Sequence, residues 1–228
     1  MNTALLARAT VAGSLVLAAL LTAVSVLLMP DFSGGQADRL AAIAAAPGTA
    51  TVSAMGFILA QLFLAVGVVG VAHLLADRTP VLAWTGATLV VLSCFGHAVY
   101  GGVNAVMLSM AQDLSAVDVH ADVLARNEQG VGLPFMAAGL LGTVLGLLVL
   151  AVALWRGRLG PRWVGPALAL WVVVEFVGNS FSEWAGYASG VIYAVVLVTL
   201  AVEVWRSAPE RWRTAAGAAS AERSAVPA

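Results

Sequence analysis

Charged side chains are scarce in this sequence, and lysine is absent altogether. Only 10% of the 228 residues are charged, and the formal net charge at pH 7 is −1. Soluble domains contain about 25% charged residues, so this composition excludes an ordinary water-soluble globule. A net charge this small also gives no basis for nucleic acid as a partner.

Cysteine and the common site-forming motifs are equally rare. The single cysteine, Cys94, excludes a disulfide framework within the chain and a thiolate metal site. His73 and His97 fall at different heights of the apolar runs, which excludes a bis-histidine haem site. The sequence contains no phosphate-binding glycine loop, nucleophile elbow or HExxH motif. We therefore expect neither a metal nor a cofactor.

Apolar residues are abundant instead, at 61% of the chain, with a mean hydropathy of +0.95. A helix needs about 20 of them to cross the ~30 Å hydrocarbon layer of a membrane. Six stretches meet that length: about 10–29, 53–75, 81–108, 132–155, 164–182 and 187–205. We predict an all-α, polytopic membrane bundle of six helices, a single domain over residues 1–205. The Ala/Ser-rich tail 206–228 is predicted to be disordered.

The fifth and sixth apolar runs are separated only by residues 183–186. One continuous span of about 40 residues would be too long even when tilted, so a turn is predicted there, with Gly186 and Gly190 suited to it.

The distribution of arginine predicts the orientation of the bundle. Nine arginines lie in the N-terminus, the second and fourth loops and the tail, against two in the first and third loops, Arg39 and Arg126. Because arginine is enriched on the cytoplasmic side, both termini are predicted to be cytoplasmic. That placement requires an even number of spans, which agrees with six.

Two predicted outer loops are too long for simple turns. Leu114, Val117, Ala121 and Leu124 recur at helical spacing, which predicts a short amphipathic helix on the outer surface. The stretch Gln36–Ala46 has a similar character. Each helix either covers an outward opening or lies passively on the membrane surface.

A carboxylate inside an apolar span is the most informative single feature. Counted at about 1.5 Å per residue from Val164, Glu175 is expected ~16 Å deep, near the midplane. Ionisable groups at that depth cost several kcal/mol unless paired, and they commonly mark functional sites. Trp171, Gly178 and Ser182 are predicted to share its helical face, with Asn179 at the edge.

The third span carries a matching polar stripe of Ser93, His97, Tyr100 and Asn104, spaced four, three and four residues apart. Gln61 falls in the second span, and Thr22 and Ser25 in the outer half of the first. These positions predict a polar cavity that opens outward. We assign Glu175 and His97 as its candidate catalytic groups, and the candidate ligand contacts are Gln61, Ser93, Tyr100, Asn104, Trp171, Asn179 and Ser182. The alternative is structural: a Glu175–His97 bridge, with the remaining polar groups joining helices.

Small residues follow one ridge of the fourth span: Ala138, Gly142 and Gly146. Such a ridge lets another helix approach closely, either inside the bundle or across a homodimer.

The short basic loop before the fifth span reads Arg-Gly-Arg-Leu-Gly-Pro-Arg-Trp-Val-Gly over residues 156–165. It is similar to the Arg-Leu-x-Pro-Arg-Trp-x-Gly pattern of a bacterial six-helix membrane family classed as domain of unknown function 4386, which the chain also resembles in span count and acidic outer loops. The resemblance implies a bacterial cytoplasmic membrane but no activity. In size the bundle also looks like small membrane-embedded terpene cyclases, although their motifs are not matched.

Three functions remain open from the sequence. The first is binding of a small amphipathic or hydrophobic ligand in the outward cavity. The second is an intramembrane enzyme that uses Glu175 as acid or base on an isoprenoid or lipid-like substrate. The third is a proton-coupled carrier, which would need a path through the apolar inner half.

Overall fold

The computed structural model describes residues 3–182 and 184–212, and every regular element in that part of the chain is helical. Its helices are α1 (Thr3–Leu27), α2 (Gln36–Ala45), α3 (Pro47–Leu75), α4 (Pro80–Met110), α5 (Val117–Gln129), α6 (Leu133–Gly157), α7 (Val164–Phe176) and α8 (Trp184–Arg206). Short 3-10 turns occupy Leu114–Ala116, Gly178–Ser180 and Pro209–Trp212. The described part of the tail, residues 206–212, contains the 3-10 turn Pro209–Trp212, in which the Trp212 Nε1 donates to the Ser207 Oγ at 2.7 Å, so the prediction of disorder is wrong there. The prediction from residue 213 onward lies outside the described residues, as does Glu183 in the predicted turn.

Five helices are long and apolar enough to cross a membrane, namely α1, α3, α4, α6 and α8. They have 23 to 31 residues each, and their length and composition indicate a membrane protein. The all-α fold class is thereby confirmed. The fifth predicted span differs, because α7 has only 13 residues.

Helix α7 ends at Phe176, and the prediction that Trp171, Glu175, Gly178 and Ser182 share one helical face is therefore wrong beyond that residue. The sequence after Val177 is Gly-Asn-Ser, and glycine and asparagine are weak helix formers. Asn179 stabilises the break, since its Nδ2 donates a hydrogen bond of 2.8 Å to the carbonyl oxygen of Glu175.

The chain turns back after the break, and α7 and α8 form an antiparallel hairpin. Four contacts define its register: Gly160 lies against Glu203, Trp171 against Tyr193, Glu175 against Ser189 and Gly178 against Ala185. As the residue number rises along the first arm, it falls by nearly the same amount along the second. The segment 160–178 therefore runs beside α8 over most of the length of that helix.

Helices α4 and α6 approach each other closely through glycines. A Cβ on Gly96 would lie 2.5 Å from the Gly139 nitrogen and 2.5 Å from the Phe135 oxygen. A Cβ on Gly142 would lie 2.7 Å from the Leu89 oxygen. Gly142 and Gly146 of the predicted small-residue ridge are thus buried inside the chain. This supports the alternative in which the ridge packs within the bundle, and a homodimer through Ala138, Gly142 and Gly146 stays a prediction.

One end of the bundle is covered by α2 and α5, and we call it the capped end. Leu40 and Ile43 of α2 and Leu124 of α5 are buried with Met107 and Ala111 from the end of α4. Arg39 of α2 lies 3.6 Å from Glu128 of α5. A short amphipathic helix is confirmed at α5, but it begins at Val117, and Leu124 is its buried residue. The Gln36–Ala46 stretch forms α2.

A 3-10 turn leads from α4 into α5 at the capped end. Asp113 caps this turn by accepting hydrogen bonds from the Ser115 hydroxyl at 2.5 Å and the Ser115 N–H at 3.1 Å. These bonds favour the charged carboxylate and lower the pKa of Asp113.

The opposite end carries most of the described arginines, and we call it the arginine end. Arg8 of α1 donates to the carbonyl oxygen of Trp205, and its guanidinium lies 5.3 Å from the centroid of that indole ring. Arg78 joins the ends of α3 and α6 by donating to the Gly157 oxygen at 2.8 Å. These contacts satisfy carbonyl groups that would otherwise lack partners at the helix ends.

Candidate functional site

Two neighbouring cavities lie at the capped half of the bundle, and Phe57 and Tyr100 line both of them. The first, which we call the capped-end cavity, has a volume of about 250 Å³. Its remaining lining residues are Ser25, Met29, Pro30, Phe32, Ile43, Ala50, Ser53, Ala54, Asn104 and Leu108. Because Ile43 belongs to α2, that helix covers an opening here and does not simply lie on the surface.

The second, the lateral cavity, has a volume of about 510 Å³ and lies between α3, α4 and α6. Its other lining residues are Gly96, His97, Leu133, Met136, Ala137, Leu140 and Leu141. Leu133, Leu140 and Leu141 are each about half exposed, so this cavity opens at the side of the bundle. In a membrane, that side faces the hydrocarbon chains of lipids.

Polar atoms in these cavities are few. Neither the Tyr100 hydroxyl nor the Asn104 amide has a hydrogen-bond partner among the described residues, and both side chains are partly exposed. Ser53 differs, since its hydroxyl donates to the Ser25 carbonyl oxygen at 2.8 Å. Because both side chains line a cavity and are partly exposed, the Tyr100 hydroxyl and the Asn104 amide are available to bond a molecule inside.

His97 lies at the edge of the lateral cavity in a chain of hydroxyl groups. Its Nε2 is 3.0 Å from the Thr143 Oγ1 of α6, which is 2.5 Å from the Ser93 Oγ. The Phe57 ring meets the imidazole edge-on, with centroids 5.6 Å apart. Ser93 and His97 are thus brought together as the helical stripe predicted, whereas Thr143 was missed. A threonine in an apolar helix gives no distinctive signal, because such hydroxyls commonly bond their own backbone.

Gln61 is buried, with 9% of its surface exposed. Its side-chain amide Nε2 donates a hydrogen bond of 3.2 Å to the carbonyl oxygen of Phe57 in the same helix. This bond fits the structural alternative better than ligand binding.

Glu175 has a different set of partners at the α7–α8 hairpin. Its Oε2 accepts a hydrogen bond from the Ser189 hydroxyl, which also lies 2.9 Å from the Gly186 oxygen. Trp171 stacks on Tyr193 beside it, with centroids 4.5 Å apart. Ser189 and Tyr193 are almost fully buried, and both were missed from the sequence. Only a correct position for the turn between α7 and α8 gives the antiparallel register that sets these two residues beside Glu175 and Trp171.

The structure does not pair Glu175 with His97. Both residues are described, and no ion pair within 4.0 Å joins them; their polar partners are Ser189 and Thr143 respectively. Asn179 and Ser182 are exposed near the break in α7. The predicted site residues therefore fall into two groups, one along α4 and one at the α7–α8 hairpin.

The register of the hairpin gives the position of Glu175 along α8, and its depth in a bilayer stays a prediction. Ser189 lies five residues from the start of α8, which is about 8 Å along a helix of roughly 34 Å. Glu175 is therefore closer to the start of α8 than to its middle. The sequence prediction of mid-depth counted from Val164 as the inner boundary of the span. In the structure, the register sets Val164 beside residues 199 and 200, some distance before α8 ends at Arg206.

No group of three or more His, Cys, Asp or Glu side chains could hold a metal ion in residues 3–182 and 184–212.

Comparison of the chain with protein-family models, with curated proteins and with solved structures finds no match in any of the three. None of them bears on the resemblance to the bacterial family of unknown function, which stays a prediction.

Proposed function

We propose that the protein binds a small amphipathic or hydrophobic molecule in the capped-end and lateral cavities. The observation that carries this proposal is that the Tyr100 hydroxyl and the Asn104 amide, which have no hydrogen-bond partner among the described residues, line largely apolar cavities. Binding sites for small molecules are usually apolar concavities of about 300–1,000 Å³ with a few polar groups that fix orientation. The lateral cavity, at about 510 Å³, lies within that range, and the capped-end cavity on the other side of Phe57 and Tyr100, at about 250 Å³, is slightly smaller.

The two cavities suit different parts of such a ligand. A polar head would accept from the Tyr100 hydroxyl or bond the Asn104 amide beneath α2. An apolar tail would pass Phe57 into the lateral cavity, where Met136 and Leu140 offer apolar contacts and the opening faces lipid. Entry from the membrane would not require the ligand to cross water.

The proposed topology has six spans with both termini in the cytoplasm of a bacterial cell. The antiparallel register supports a sixth crossing, because α7 and the turn after it run beside α8, which is itself long enough to span. The arginine count supports the orientation. The capped end then faces outward, and the cavities open to the outer half of the bilayer.

Retention of a bound molecule tests the binding proposal. We expect native mass spectrometry of the wild type, extracted from its own membrane, to show a defined molecule that Ala54→Leu and the double variant Tyr100→Phe/Asn104→Leu lose. The first change fills the capped-end cavity, since Ala54 is only 7% exposed and lines it. The second removes the polar anchors.

Tyr187→Phe is the matched control, because it also removes a tyrosine hydroxyl but lies outside both cavities, with 54% of its surface exposed. Equal retention by the wild type and both cavity variants would overturn the proposal.

A second candidate is acid–base chemistry at Glu175, as an enzyme or a proton-coupled carrier. The arrangement of Ser189 favours it: one hydroxyl proton faces two acceptors, the Glu175 carboxylate and the Gly186 oxygen. A proton on the carboxyl would complete this set of hydrogen bonds. The break in α7 beside Glu175 also resembles the discontinuous helices at transporter sites.

A further inference from the structure

A polar cavity of about 430 Å³ lies at the arginine end, far from the two cavities described above. It is enclosed by the ends of α3, α6 and α8 and by the segment after α8. We call it the arginine-end pocket, and its lining residues are Leu74, Asp77, Arg78, Gly157, Arg158, Leu159, Gly160, Glu203, Arg206, Ser207 and Arg211.

The lining of this pocket is positively charged. Four arginines, Arg78, Arg158, Arg206 and Arg211, face only two carboxylates, Asp77 and Glu203. The excess of cations in a concave site attracts anions.

Two of these arginines are held in place by bonds within the protein. Arg78 donates to the Gly157 oxygen at 2.8 Å, and Arg211 bonds both the Leu74 oxygen and Asp77, with an Nη2–Oδ2 distance of 3.0 Å. Ordered guanidinium groups lose little freedom when a ligand arrives, so they are suited to bind an anion.

The positive charges of the other two arginines are not neutralised by strong ion pairs within the protein. Arg206 lies 3.8 Å from Glu203 but its side chain is 73% exposed, so this ion pair contributes little. Arg158 has no ion-pair partner within 4.0 Å in the part of the chain that the structure describes.

The backbone at Arg158 is strained in a way that places its side chain at the pocket. Arg158 has a φ of 51° and a ψ of 44°. It is the one non-glycine residue with a positive φ in the part of the chain that the structure describes. Gly160 follows with φ 80, and a Cβ there would lie 2.8 Å from the Glu203 Cγ, so the turn packs tightly on α8. Left-handed non-glycine residues persist where the surrounding structure over-determines them, often at ligand sites.

We propose that the arginine-end pocket binds a phosphate group, carried either by an anionic phospholipid head group or by a soluble phosphate ester. Guanidinium groups bind phosphate through paired, charge-assisted hydrogen bonds. Basic pockets between membrane helices at the cytoplasmic surface bind lipid head groups for this reason. The pocket lies where α3, α6 and α8 end, which is the level of the head groups if those helices span the bilayer.

Arg158→Gly is the informative variant. Glycine adopts positive φ without steric cost, so this change removes the guanidinium and relieves the backbone at the same time. We expect the variant to fold at least as stably as the wild type and to bind the phosphate ligand about tenfold more weakly, the usual effect of one lost charge-assisted hydrogen bond. Arg126→Gly, at an exposed position of α5 on the capped end, is the control for loss of one arginine.

Two binding measurements on the purified full chain distinguish the sources. In nanodiscs of phosphatidylcholine, phosphatidylglycerol is titrated and its retention is followed by native mass spectrometry; separately, glycerol phosphate is titrated in detergent. Weaker phosphatidylglycerol binding by Arg158→Gly alone would establish a lipid site, and weaker glycerol phosphate binding would establish a soluble one. Equal binding of both ligands by the wild type, Arg158→Gly and Arg126→Gly would overturn the proposal.

Discussion

At the scale of single residues, the sequence predicted a polar stripe along α4 but not the partners of its side chains. The stripe from Ser93 to Asn104 was predictable, because four polar residues at helical spacing in an apolar span are unusual. Thr143 and Ser189 were not predictable, since isolated hydroxyls in apolar helices are common and carry no distance information. Without them, a bridge between Glu175 and His97 was the structural alternative. The hydroxyl groups supply each with a nearer partner.

The coupling between Glu175 and its neighbours gives a prediction at this scale. Glu175→Ala and Ser189→Ala should each lower the thermal stability of the purified protein, and the double variant should lose less than the sum, by about 1 kcal/mol, because one hydrogen bond is removed only once. The quantity measured is the free energy of unfolding in a thermal or denaturant series.

The control is the pair Glu175→Ala and His97→Ala, since Glu175 and His97 share no side-chain partner in the described structure. Their effects should be nearly additive. Strong coupling in this control, with none between Glu175 and Ser189, would restore the direct Glu175–His97 bridge.

At the scale of helices, hydropathy located the long apolar helices because each contains an uninterrupted run of apolar residues. It failed at α7, where the run continues through Val177 but the helix does not. The signal was present in Gly178 and Asn179, both poor helix formers, and a rule of length alone ignores it. The small-residue ridge of α6 was also visible, but its partner was not, since glycines on α4 have no pattern of their own.

The α4–α6 contact leads to a prediction about packing. Gly96→Ala should destabilise the protein by about 1–3 kcal/mol, the usual cost of overpacking, because its Cβ would lie 2.5 Å from backbone atoms of α6 that cannot rotate away. The midpoint of thermal unfolding in detergent measures the effect.

Gly102→Ala is the matched control on the same helix. A Cβ there would meet nothing within 4 Å, so its midpoint should be unchanged or slightly higher. If the two alanine variants melted together, the close approach of α4 and α6 would not contribute to stability.

At the scale of the whole molecule, the remaining question is whether the hairpin of α7 and α8 crosses the membrane twice. The arginine count favours an even number of spans, and the register sets the arms side by side. Five long helices alone would place the two termini on opposite sides. Whether the segment of α7 crosses the membrane distinguishes these arrangements. The length of α7 alone does not answer this, because a 3-10 turn continues the segment beyond the end of the helix.

Cysteine labelling in intact cells tests this topology. In a Cys94→Ala background, single cysteines are introduced at Arg162, before α7, and at Ser182, after the break, both of which are exposed. If the segment crosses, a membrane-impermeant maleimide should label Ser182→Cys but not Arg162→Cys, and permeabilised cells should label both. Gln112→Cys, exposed at the capped end, reports the outer side. If Ser182→Cys were labelled only after permeabilisation while Gln112→Cys was labelled beforehand, the segment from Arg162 to Ser182 would not cross the membrane, and the chain after α7 would return to the side from which it entered.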